Sequence, residues 1–160
     1  MAQPMADRSP DALAIQALCA AYARAVDARD YAALGELFSD DALLSAHRGE
    51  PGRGPKLFEL RGRARILKAL PSIERFRATT HLVSLPVTHI DGDIARNEVS
   101  CLAHHLYDRQ SQARLYVMAI RYRDRCRREA GTWRFSERCL VVDWEEDRAF
   151  HAGAPPPEGS

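Results

Sequence analysis

Long apolar runs are absent. Apolar stretches such as residues 115–120 and 139–142 fall far short of the ~20 residues a membrane-spanning helix needs. No apolar signal core precedes the first helical pattern, and residues 1–10 carry Asp7 and Arg8, so a cytoplasmic location is the expectation. Charge of one sign is also missing: 23 Lys+Arg against 22 Asp+Glu leave a net +1, which gives no electrostatic case for nucleic acid or an anionic membrane. The run of Arg121, Arg123, Arg125 and Arg127 shares one strand face but lacks interleaved aromatics for base stacking, so it reads as a solvated or oligomer-edge face. No CxxC occurs among Cys19, Cys101, Cys126 and Cys139, and Cys101 with His104 and His105 has no second pair to complete a site. Neither a structural zinc nor a redox motif is supported, and the thiols read as reduced and buried.

What is present suits one compact domain: 160 residues, 46% of them hydrophobic, are enough for a single core. Leu13, Ala17, Leu18, Ala21, Tyr22, Ala25 and Val26 recur at three- and four-residue steps, predicting an amphipathic helix from residue 11, with Ser9 as N-cap and Pro10 at the first position. Tyr31, Leu34, Leu37 and Phe38 predict a second helix, stopped by turn chemistry at Ser39, Asp40 and Asp41. A short strand over 42–46 and a loop over 47–55, with three glycines and two prolines, are expected next. A third helix over 62–70 follows, with Pro71 near its end. From Thr79 the texture turns β-branched and aromatic. Asp91-Gly92-Asp93 joins 79–90 to 94–107 as a hairpin, and further strands over 114–125 and 132–144 flank a turn at Glu129-Ala130-Gly131. Helices followed by an antiparallel meander indicate α+β. The expected divisions are a flexible segment at 1–10, one domain at 11–148 and a disordered Pro-rich tail at 149–160.

Alternation puts Ser100, Leu102, His104 and Leu106 on one strand face and Val99, Cys101, Ala103, His105 and Tyr107 on the other. Alternation alone does not choose which histidine faces inward. Both faces are largely apolar, as are those of the strand carrying Val117. Two dry faces predict helices on one side and a second subunit on the other, hence a homo-oligomer, dimer or trimer. His47 and His89 sit in a loop and near a turn, and His151 lies by the tail, so all three read as surface residues.

Tyr22 to Asp27 and onward to Leu34, then Leu37-Phe38-Ser39-Asp40-Asp41-Ala42, resemble the opening of the SnoaL-like branch of the nuclear transport factor 2-like superfamily. Thr79-Thr80-His81, the Asp91-Gly92-Asp93 hairpin and the closing Gly131-Thr132-Trp133-Arg134-Phe135 extend the likeness over residues 11–147. The resemblance implies a cone-shaped, curved antiparallel sheet wrapped around N-terminal helices, with a pocket at the wide end. Within the superfamily the chain is most similar to the scytalone dehydratases and the bile-acid 7α-dehydratases. Carried over position by position, Asp27 matches an acidic residue ending the first helix, His81 the histidine of the Thr-x-His strand, Tyr22 a tyrosine of the bile-acid enzymes, and His104 a second histidine. Leu102 shares the His104 face, and Tyr116 and Met118 stand where scytalone dehydratase has a serine and an asparagine. These three become expected substrate contacts, and their chemistry argues against scytalone itself.

The residue types suit proton transfer. Histidine accepts and returns a proton near neutral pH, a carboxylate fixes its tautomer and stabilises the cation formed, and a tyrosine can donate to a developing enolate oxygen. The resemblance thus implies a cofactor-independent lyase, dehydratase-like, acting on a hydrophobic ring-containing small molecule, with no metal or organic cofactor required. An isomerase or polyketide-type cyclase in the same pocket, and a non-catalytic binding or interaction module, are the alternatives.

Overall fold

The computed structural model describes residues 9–151. Most of the expected flexible N-terminal segment and Pro-rich tail lies outside the described residues. Helix α1 (Pro10–Ala28) begins where its signals predict: the Ser9 side chain accepts from the Ala12 amide at 3.2 Å, with Pro10 in the first turn. Its buried stripe is Ile15, Leu18, Cys19, Tyr22 and Val26. Arg29 ends it in the left-handed region (φ 56), and Asp30 then caps α2 (Tyr31–Glu36) by accepting from the Ala33 amide at 2.9 Å.

The predicted turn at Ser39–Asp41 does not form. Strand β1 (Phe38–Arg48) starts at Phe38, which is fully buried against Tyr22 and Phe135 and pairs with Phe135 across the sheet. The register shifts between Phe38 and Leu43, so Asp40 and Asp41 face solvent and bind Arg63 and Arg127 at 2.6 and 2.7 Å. Burial of one aromatic outweighs the turn propensity of three polar neighbours. His47 therefore lies in a strand and is buried, 9% exposed, contrary to its reading as a surface loop residue. The loop 49–55 is pinned to the sheet by Glu50, which accepts from Arg121 at 2.9 Å and Arg123 at 2.6 Å. It passes so close to β1 that a Cβ on Gly54 would fall 1.7 Å from the Arg48 carbonyl oxygen.

Strand β2 (Lys56–Arg61), which the sequence reading lacked, adds an edge to β1. Helix α3 (Arg63–Ala69) runs into a short 3-10 helix, Leu70–Arg75. The expected single arm 79–90 is two strands, β3 (Ala78–Val83) and β4 (Val87–Asp91), both antiparallel to β5 (Ile94–Arg109). Val83 opposes Cys101 while Val87 opposes Glu98, so the three residues 84–86 face the two residues 99–100, a bulge that includes Pro86, whose missing N–H interrupts the ladder. Strands β6 (Gln112–Glu129) and β7 (Thr132–Ala149) are longer than predicted. The sheet order is β2-β1-β7-β6-β5-β3, with β4 also on β5. Every pair is antiparallel except β1–β7, which is parallel. The expected α+β fold, a large curved and unclosed sheet behind N-terminal helices, is the one observed.

Cys19, Cys101 and Cys126 are buried in the core between α1 and the sheet and Cys139 is buried under the loop 49–55 face; all four are free thiols. Beneath them lies a fully buried ion pair: Arg138 donates to Asp124 at 2.9 Å, and its guanidinium sits 4.0–4.2 Å from the ring centroids of Tyr22, Tyr122 and Phe135. Asn97 donates to Asp124 at 3.1 Å and accepts from Thr88 at 2.8 Å. No helix among the described residues is long and apolar enough to cross a membrane.

Candidate active site

Helix α1 packs its last turn against β3, and this contact makes the site. Asp27, one residue from the helix end, accepts three hydrogen bonds from β3. Its Oδ1 accepts from the Thr79 hydroxyl at 2.8 Å and faces His81 Nδ1 at 2.7 Å, and its Oδ2 accepts from the His81 amide at 2.9 Å. With a carboxylate on Nδ1, the imidazole carries its proton there and presents a bare Nε2. The His81 side chain is 7% exposed and Asp27 26%, so the pair is shielded from bulk water yet open on one side.

That side is a cavity of about 590 Å³. Val26, Leu44, Ile66, Met118 and Ile120 form its apolar wall, Leu70, Ile73 and Phe76 its cover, and Tyr22 and Tyr122 line it beside His81 and His105. Burial raises the phenol pKa of both tyrosines, so they remain neutral O–H donors. Tyr22 is 6% exposed, with edge-on ring contacts to Phe38, Tyr122 and Phe135. It is at once a core aromatic and a cavity residue.

The second histidine facing the cavity is His105. Residues 95, 97, 99, 101, 103 and 105 are the buried set on β5, which puts His105 inside and His104 outside. The expected placement of His104 at the pocket is thus corrected, and with it that of Leu102, which is 40% exposed on the outer face. The His81 and His105 rings stand 5.8 Å apart and nearly perpendicular. His105 Nδ1 lies 3.3 Å from the Tyr116 carbonyl, to which it donates in the neutral form. Burial first, and the neighbouring His81 second, push the His105 pKa down to about 4. Tyr116 packs at a tilt against His105, ring centroids 5.5 Å apart, and its hydroxyl binds Glu145, so it braces the second histidine instead of lining the cavity. Met118 lines the cavity. His105 is the neighbour that alternation left open against His104, and Thr79, part of the Thr79-Thr80-His81 motif, joins the site through Asp27. Among the described residues no group of three or more His, Cys, Asp and Glu is placed to hold a metal ion.

A groove of similar size, about 560 Å³, lies on the other side of the sheet beside Pro51. Arg123, Arg125, Glu98 and Glu137 dominate it, and these are paired with one another across the strands. The ladder from Arg121 to Arg127 is thereby neutralised, each arginine holding at least one carboxylate. The imidazole–carboxylate pair is at the inner cavity.

Residues 7–139 match the SnoaL-like domain family. No curated protein sequence matches the chain. Among solved structures, a candidate scytalone dehydratase from Novosphingobium aromaticivorans is 24% identical, the match covering 94% of this chain and 95% of that one, with a TM-score of 0.72. A hexachlorocyclohexane dehydrochlorinase from Novosphingobium barchaimii is 20% identical over 93% and 97%, with a TM-score of 0.74. The β subunit of a candidate aromatic-ring-hydroxylating dioxygenase from N. aromaticivorans is 22% identical over 84% and 90%, with a TM-score of 0.70. At these identities the likeness is one of fold. With the sequence match spanning most of the length and the architecture in agreement, the chain belongs to the SnoaL-like domain family of the nuclear transport factor 2-like superfamily.

Proposed function

We propose that the protein is a cofactor-independent lyase that eliminates a small leaving group, water in the first instance, from a hydrophobic ring-containing molecule. The observation that carries this reading is the Asp27–His81 pair opening onto an apolar cavity. His81 Nε2 takes the proton from the carbon next to the substrate carbonyl, Asp27 stabilises the imidazolium, and a Tyr22 or Tyr122 hydroxyl donates to the enolate oxygen. A protonated second histidine is not at hand, because His105 stays neutral near neutral pH. The proton that leaves the carbon is therefore returned by His81 itself to the departing hydroxyl, so one group serves as base and then acid. His105 shapes and dries the wall and accepts a hydrogen bond through Nε2. Two of the fold relatives are named for eliminations, a dehydratase and a dehydrochlorinase, which supports the reaction class. The same single-proton relay would run an isomerisation, and only the product separates the two.

Incubation with a panel of ring-bearing β-hydroxy ketones and acids, in buffer containing a chelator, tests the proposal by mass spectrometry. Loss of one water from at least one member is expected, slowed about 10²-fold or more by His81→Ala and by Asp27→Asn, the scale of a lost positioned acid or base. His104→Ala should keep the parental rate. A product of unchanged mass would favour isomerisation. Tight binding across the panel without turnover would favour a binding module.

We also propose that the outer sheet face covers a second copy of the chain. Leu82, Leu102, Ala119 and Trp144 are register partners in one row across four strands. Three of them are 59%, 40% and 52% exposed (Leu82, Leu102 and Trp144). In the adjoining row His104 Nδ1 is buried without a hydrogen-bond partner among the described residues. An apolar band with an orphaned polar atom beside it fits a face completed by association.

A further inference from the structure

Among the described residues the cavity's lining holds four basic side chains, Lys68, Arg75, His81 and His105, and no aspartate or glutamate. Asp27 stands behind His81, its oxygens taken by β3. Glu145, bound to the Tyr116 that packs on His105, is already held by Arg48 as well. The two permanent cations have a common origin. Lys68 lies in the last turn of α3 and Arg75 in the last turn of the 3-10 helix that follows, the continuous segment that covers the cavity. Both are exposed yet line it, so they mark its mouth. Among the described residues neither has an ion-pair partner, whereas Arg121, Arg123, Arg125 and Arg127 of β6 are each matched to a carboxylate. Arg75 rests 4.8 Å above the Phe76 ring, which holds its head near the opening. The end of this covering segment is tied down by Arg29, which donates to the Phe76 carbonyl at 2.7 Å.

We propose that the substrate is an anion: an apolar ring body that fills the interior and a carboxylate, or another single anionic group, that remains at the mouth between Lys68 and Arg75. This rests on reading the cavity as the substrate site, and it adds a recognition element that the Asp27–His81 pair does not require. Apolar walls give no orientation, whereas a charge fixed at the rim lets one end of the ring system enter first and brings a chosen carbon to His81. Arg75 also contributes to the low His105 pKa, after burial and His81, so its field reaches the interior. A free acid and a larger carrier-linked anion present the same charge at the mouth.

Two dyes with one ring system test this. Anilinonaphthalene sulfonate is anionic, and N-phenylnaphthylamine lacks the sulfonate. The signal scored is the fluorescence component that Met118→Trp removes by filling the cavity. The Lys68→Gln/Arg75→Gln variant should weaken the sulfonate dye about tenfold, the combined scale of two exposed ion pairs, and leave the neutral dye unchanged. Lys68→Glu/Arg75→Glu should weaken it further, and added salt should weaken only the sulfonate. Adding a ring carboxylic acid and its coenzyme A thioester as competitors separates the two sources of charge. Equal effects on both dyes, no effect on either, or no cavity component for the sulfonate would overturn the proposal. The dyes undergo no reaction, so this result stands apart from the turnover test. A charge preference without elimination would remove the lyase reading alone, and elimination without a charge preference would remove this one alone.

Discussion

At the scale of single residues, His105 is the group whose burial most directly predicts a pH response. Its folded pKa of about 4 lies below the ordinary histidine value. The unfolded chain therefore binds the extra proton first as pH falls. Stability from this group is whole above about pH 6.5 and is lost down to about pH 4, by on the order of 3 kcal/mol. In His105→Phe that part of the loss should vanish from melting curves recorded between these limits. An unchanged slope would mean that His105 is not buried as described. The residue also shows where the sequence was legible and where it was read too narrowly. Over residues 99–107 both faces of β5 look apolar, but extended to Ile94 they differ: Arg96, Glu98 and Ser100 fall on the even face, while the odd face that His105 shares carries Ala95, Val99, Cys101 and Ala103 with Asn97 its one polar side chain before His105. The full period-2 pattern selects His105, and a local alignment selected its neighbour. Asp27, His81 and Tyr22 needed no such correction in position, because each is fixed by an element whose own signals were strong.

Among the elements, α1 was legible from cap to last turn, while the bends were not. Ser39–Asp41 carries turn chemistry, yet it forms a bulged strand because Phe38 is buried across from Phe135. Strand β2 is an edge with little burial, so no alternation announces it. The cover of the cavity from α3 through Arg75 shows one fully buried residue, Ile66, which is why its role was invisible to periodicity. The loop 49–55 depends on contact that no local pattern encodes. Gly54→Ala places a Cβ against the Arg48 carbonyl, and the resulting shift should cost about 1–3 kcal/mol, read as a lower melting temperature with turnover chemistry intact in the folded fraction. A parental melting temperature would mean that the loop does not cross β1 this closely.

For the whole molecule, the inner surface of the sheet meets the helices, while the outer one carries charged pairs and an apolar band at Leu82, Leu102, Ala119 and Trp144. Val117, although on the outer side, is 5% exposed within a single chain, so a substitution there would damage the subunit itself. Leu102 is the sounder probe. Leu102→Arg should leave the fold intact and shift the protein to monomers in sedimentation, because an unpaired charge in a closed apolar interface costs several kcal/mol. A parent that sediments as a monomer at micromolar concentration would contradict the assembly.

The central claim is that Asp27 and His81 act as one proton-transfer unit, and a double-variant cycle on carbon-bound hydrogen exchange tests it most directly. In deuterated water, with a ring ketone that binds the cavity, the parent should incorporate deuterium next to the carbonyl. His81→Ala and Asp27→Asn should each lose about 10²-fold or more of that rate, and the double variant should be little worse than the slower single. Exchange that persists in His81→Ala, or losses that simply multiply in the double variant, would contradict the account.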